Sequence, residues 1–283
     1  MMNMKKGWYD TVKTSNHLHT EATEVLKETS RTFFIPISLL PKGLKEGVGS
    51  AYLCMRAIDE IEDDPEMESS LKIQLLSSIS TILKVDDPRE QLNELLKPHQ
   101  NRLPEVTSRI SDWVTYCPEG IRKEVLKSTS IMAEGMAKWV EKEWKITNEE
   151  ELDDYTYTVA GLVGVMLTDI WNWYDGTTAD KNLGIAFGRG LQAVNILRNY
   201  KEDETRGVSF FPEGWNLDEM FAYAQRNLEL ADLYIKDIDN TTILHFCKIP
   251  LTLAHGTLQA LMEGKEKMSR NDVEDAVNKV VGK

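Results

Sequence analysis

Apolar residues recur every three or four positions along most of this chain, the spacing of an amphipathic helix. No segment alternates apolar and polar residues as a half-buried strand would. Breaks fall where proline or glycine collects: Pro36 to Gly49, Asp86 to Pro88, Pro98 to Pro104, Pro118 to Gly120, Gly176, and Gly207 to Trp215. Between them the pattern predicts helices over 17–34, 43–64, 67–84, 87–96, 104–116, 119–146, 148–174, 178–204, 217–236, 239–264 and 269–280. No repeat, low-complexity tract or Gly/Ser linker divides the series. The expectation is therefore an all-α chain forming one domain over 1–283.

Two stretches, Leu162 to Trp173 and Leu183 to Leu197, are apolar on more than one face, which places them at the centre of a fold. Polar residues on such helices need a reason. In the segment Tyr52 to Asp64, positions 52, 56, 59 and 63 share one stripe of a helix. That stripe joins a phenol, a guanidinium and the carboxylates of Asp59 and Asp63, with Glu62 at its border. Carboxylates at this spacing can grip one hard cation or bridge two, and they repel each other without one. Arg56 is the natural partner for a phosphate oxygen. A second stripe, Gln192, Asn195, Asn199 and Asp203, carries three amides and one acid. Two polar stripes on apolar helices point to a polar-mouthed cavity in a bundle.

Composition narrows the partners. The chain has 283 residues, 41% of them hydrophobic, and a net charge of −13. That balance argues against nucleic acid and against an anionic membrane surface. A small anionic substrate would need metal ions or arginines to offset the field. Three scattered cysteines with no close pair fit a reducing cytoplasm. No apolar run approaches the ~18 residues of a membrane span, and the N-terminus has no apolar signal region. The expected location is cytoplasmic.

The sequence resembles the squalene/phytoene synthase family of head-to-head prenyl transferases. Ser30-Arg31-Thr32-Phe33 looks like its N-terminal diphosphate-contacting motif, and Tyr52 to Asp64 like its first aspartate-rich motif. Tyr155 to Gly164 is similar to its central tyrosine and Val-Ala-Gly motif, and Gln192 to Pro212 to its second aspartate-rich motif and following loop. Met132 to Trp139, Ile249-Pro250 and Lys267 to Arg270 add weaker support. The match spans about 20–275. It implies an isoprenoid synthase fold, a helical bundle around a large apolar cavity, and Mg2+ between carboxylates and a diphosphate. Carried over by position, Asp59, Glu62, Asp63, Asn199 and Asp203 are metal ligands. Arg31, Tyr52, Arg56, Gln192, Asn195 and Arg198 bind substrate, and Tyr52, Arg56, Tyr155 and Tyr157 take part in catalysis. Phe33, Phe34, Tyr155, Tyr157, Trp171 and Trp173 are candidates for an aromatic wall, although core packing is the better expectation for the tryptophans.

The implied reaction joins two farnesyl diphosphates into presqualene diphosphate, squalene or dehydrosqualene. NADPH use stays open, because no Gly-rich dinucleotide fingerprint is present and reducing members bind it without one. Release of so apolar a product implies weak membrane association. Three departures stand out: Asn199 where the family has Asp, Val208 where many members place an arginine (with Arg206 nearby), and Thr158 directly before Val-Ala-Gly. They keep two alternatives in view. One is a single-substrate diphosphate lyase, phosphatase or terpene cyclase. The other is a non-catalytic relative.

Overall fold

The computed structural model describes residues 17–30, 32–205, 207–265 and 267–282. Among these the secondary structure is helical throughout, with no strand. The helices are α1 (17–29), α2 (Phe34–Ser38), α3 (Leu44–Asp63), α4 (Ser69–Ile82), α5 (Arg89–Leu96), α6 (Glu105–Ser108) and α7 (Ile110–Tyr116). They continue with α8 (Glu119–Glu141), α9 (Glu149–Thr156), α10 (Leu162–Asp175), α11 (Lys181–Thr205), α12 (Leu217–Tyr234), α13 (Thr241–Met262) and α14 (Arg270–Val281). The first half packs α3 against α4, α6, α7 and α8, and the second packs α11 against α10, α12 and α13. Helix α10 touches α3, α8 and α11 and so ties the halves together.

Four predicted helices are interrupted. The 17–34 helix stops at residue 29, where the Ser30 hydroxyl accepts from the Phe33 N–H at 2.9 Å and starts a new turn. The 104–116 helix divides at Arg109, whose guanidinium bonds Glu21, Glu105 and Asp112. The 119–146 helix ends at Glu141. The chain then turns through Glu143 and Trp144, both at positive φ (53° and 51°) without glycine.

The 148–174 helix contains a π-helical segment, Tyr157–Gly161. A π-turn inside an α-helix is rare and often lies at a functional site. Here small residues allow it. A Cβ on Gly188 would lie 2.1 Å from the Ala160 carbonyl oxygen, so α11 reaches the π segment only through a bare backbone. One turn further along the chain from Ala160, a Cβ on Gly164 would meet the Gly184 carbonyl oxygen at 1.9 Å. These two contacts bring α10 and α11 close enough to form one side of a cavity.

Candidate active site

The cavity has a volume of about 380 Å³, within the roughly 300–1,000 Å³ usual for small-molecule sites. Helix α3 supplies Val48, Ala51, Tyr52, Met55, Arg56 and Asp59, one stripe that changes from apolar to polar toward its C-terminus. Helix α11 repeats the order with Phe187, Leu191, Gln192 and Asn195. The floor is Trp171, Tyr234, Phe246 and Pro250, from α10, α12 and α13. Helix α3 thus brings its polar end close to its C-terminus, where the helix dipole is negative and favours cations, whereas Gln192 and Asn195 lie near the middle of α11.

Of the acids in this segment Asp59 lines the cavity, and beside it one oxygen each of Asp59, Glu62 and Asp63 lie within 4.8 Å of one another. Glu62 is buried, Asp59 half-buried and Asp63 exposed. Burial and the neighbouring Asp63 charge push the Asp59 carboxyl up to about 7 and the Glu62 carboxyl up to about 8. A divalent cation would reverse both effects, and three oxygen donors of this kind suit Mg2+. Arg56 pairs with Asp59 and, at 2.5 Å, with Glu60, while its Nε is buried without a hydrogen-bond partner. The Tyr52 hydroxyl donates to the Thr29 carbonyl at 2.9 Å, which anchors α3 to the end of α1.

The second stripe is arranged differently. Gln192 and Asn195 line the cavity. Arg198 is exposed and donates to the Asn199 side-chain oxygen at 3.2 Å. Asp203 is buried in the wall of a separate cavity of about 650 Å³, shared with Trp144, Tyr200, Val208 and Phe210. Tyr155 lies between the two acidic sides. It stacks on Phe210 at 4.9 Å and meets Trp139 edge-on at 5.4 Å. Its phenol is raised well above the ordinary value, by burial first and then by Glu62, Asp63, Asp59 and Asp203. One tyrosine therefore feels the carboxylates of both motifs.

Of the aromatic wall expected from sequence, Phe33 and Trp171 line the main cavity. Phe34, Tyr155, Tyr157 and Trp173 lie outside its lining. Trp173 instead packs over Gly47 and Gly120. Phe187, Tyr234 and Phe246 take the missing places, and the sequence reading missed them. Their signal is spacing on apolar helices, which does not separate cavity wall from core. Arg31 and Arg206 lie outside the described residues.

The squalene/phytoene synthase family model matches residues 26–219, well over half of the sequence. The chain belongs to the squalene/phytoene synthase family. Among curated members of the family it is 28% identical to the squalene synthase of Rattus norvegicus over 272 residues, covering 87% of this chain and 64% of that protein. The chain spans 60 to 64% of the length of the curated relatives it matches. Among solved structures, TcSQS bound to the ligand E5700 superposes with a TM-score of 0.76 at 21% identity, covering 93% of this chain and 86% of that one. A ligand-bound dehydrosqualene synthase superposes with a TM-score of 0.61 at 17% identity, covering 95% and 97%. The fold is the all-α isoprenoid synthase fold of this squalene/phytoene synthase family.

Proposed function

We propose that this chain is a prenyl diphosphate-utilising synthase, and that it condenses two farnesyl diphosphates head to head into a C30 product. The observation that carries this reading is the carboxylate cluster of Asp59, Glu62 and Asp63 at the polar mouth of an apolar cavity, with Arg56 in the same wall. The diphosphate binds at the mouth and the hydrocarbon tail fills the apolar interior. Mg2+ held by these carboxylates would offset the charge that collects on the leaving diphosphate.

The chain's own residues do the rest. Arg56 exchanges part of its pairing with Asp59 and Glu60 for phosphate oxygens. Gln192 and Asn195 face it across the cavity and orient the substrate. Phe33, Phe187 and Phe246 exclude water and offer aromatic faces to an allylic cation. Tyr155, held neutral by burial, keeps its proton at the phenol oxygen between the two acidic sides. We read 1–283 as one domain. No helix among the described residues is long and apolar enough to cross a membrane. We take the protein as cytoplasmic, touching a membrane only to pass on its product.

A second reading has one observation in its favour. The carboxylate cluster of the described residues does not include Asp203, and the Asn199 side-chain oxygen accepts from Arg198. A weak second metal side suits an enzyme that ionises a single substrate and releases an alcohol or a cyclised terpene. Incubation with farnesyl diphosphate and Mg2+, with and without NADPH, separates the two readings. Mass spectrometry should find presqualene diphosphate or a C30 hydrocarbon. Products of fifteen carbons alone would overturn the condensation and favour the lyase.

A further inference from the structure

Glu62 is the one buried member of the carboxylate cluster, and its surroundings are specific. The Trp144 indole N–H donates to Glu62 Oε1 from 82 positions away in sequence. The Lys72 ammonium donates to the Glu62 backbone carbonyl at 2.5 Å and lies 5.6 Å from the Trp144 ring centroid. Tryptophan, lysine and glutamate thus close a small knot around the carboxylate.

The backbone that delivers Trp144 is unusual. Helix α8 ends with the Trp144 N–H donating to the Trp139 carbonyl at 3.0 Å, the six-residue closure that ordinarily needs glycine in the left-handed position. Here Glu143 and Trp144 hold φ of 53° and 51°, a conformation costing about 1–2 kcal/mol per residue for L side chains. Strain of this kind persists where the surrounding structure holds it and often marks a functional position. Trp144 also lines the second cavity alongside Asp203 and Phe210, so it stands between the two acidic motifs.

We infer that Trp144 is a positioning residue: its indole N–H fixes one oxygen of Glu62 and thereby presents the other to a divalent cation at the cavity mouth. A carboxylate tied at one oxygen loses the rotamers that point it elsewhere, so the cation does not have to select among them. Hydrogen bonds to the ligands of a metal commonly change its affinity ~10–100-fold. Lys72 holds the backbone end of the same residue, so both ends of Glu62 are fixed. The inference rests on the proposed reading of Asp59, Glu62 and Asp63 as a metal site.

The test uses the full chain with Mg2+ and inorganic pyrophosphate as probe, read as thermal stabilisation against Mg2+ concentration. Trp144→Phe keeps a ring beside Lys72 and drops the N–H. It should raise the Mg2+ concentration for half-maximal stabilisation about 10-fold. Trp144→His, which retains a ring donor, should recover part of that loss. In a Glu62→Gln background Trp144→Phe should add little, because the two substitutions remove one interaction. Should Trp144→Phe fail to fold, Trp144→Gly accepts the left-handed turn and carries the same expectation. Wild-type Mg2+ dependence in Trp144→Phe, or an undiminished effect in the Glu62→Gln background, would overturn the inference and leave the metal site standing. A wild-type chain indifferent to Mg2+ and pyrophosphate would instead overturn the proposed function, and this inference with it.

Discussion

Asp59 and Glu62 carry the sharpest electrostatic consequence at the scale of single residues. Each folded carboxyl is raised, Asp59 from an ordinary 3.8 to about 7 and Glu62 from 4.5 to about 8. The folded state therefore holds protons that the unfolded chain has released. By linkage, stability of the metal-free protein falls as pH rises above about 4 and levels off above about 8. Chemical denaturation in a chelator across this range should show the decline, and Glu62→Gln should flatten it. Saturating Mg2+ with pyrophosphate should also flatten it, because a cation stabilises the ionised forms. A metal-free protein whose stability rises steadily from pH 5 to 8 would contradict this picture. The first acidic motif was legible in the sequence because its spacing on one helix stripe is local. The partners that bury and orient Glu62 were not legible, since Lys72 and Trp144 reach it from other elements.

At the scale of elements, helix existence was legible and helix interruption was not. Periodicity located α3, α8, α11 and α13 because each presents an apolar stripe over many turns. It read 148–174 as a continuous helix, whereas the chain makes a π segment at Tyr157–Gly161. Nothing local forces that segment. It depends on Gly188 arriving from α11 with no side chain, close against the Ala160 carbonyl. Gly188→Ala should therefore push α11 away from the π segment and destabilise the fold by about 1–3 kcal/mol. It should also reshape the cavity wall formed by Val159, Ala160 and Phe187. Denaturant melts and substrate KM should shift together. A stable Gly188→Ala protein with unchanged KM would show that the close approach is dispensable. The turn after α8 escaped the sequence reading for a related reason. Lys142-Glu143-Trp144-Lys145 contains neither Gly nor Pro, so nothing local marks its left-handed backbone.

At the scale of the whole molecule, the two halves of the bundle meet along one apolar cavity with a polar, carboxylate-bearing mouth. An acidic protein with a net charge of −13 is a poor host for a diphosphate unless cations mediate. The overall all-α architecture was readable from pattern alone. That the second motif carries fewer acids than the first was readable from Asn199. The burial of Asp203 in a separate wall was not, because it follows from how the 207–215 loop covers the end of α11. Tyr155, Phe210 and Trp144 sit between the motifs and link them, and that arrangement exists only in three dimensions.

On the proposed reading, Asp59 and its neighbours hold the cation that lets a prenyl diphosphate ionise in this cavity. Release of inorganic pyrophosphate from farnesyl diphosphate tests it most directly, with wild type and Asp59→Asn compared across Mg2+ concentrations. Wild type should release pyrophosphate in a Mg2+-dependent way, and Asp59→Asn should lose roughly 100-fold or more of that release. Release that is independent of Mg2+, equal release by the variant, or none by either protein would contradict it.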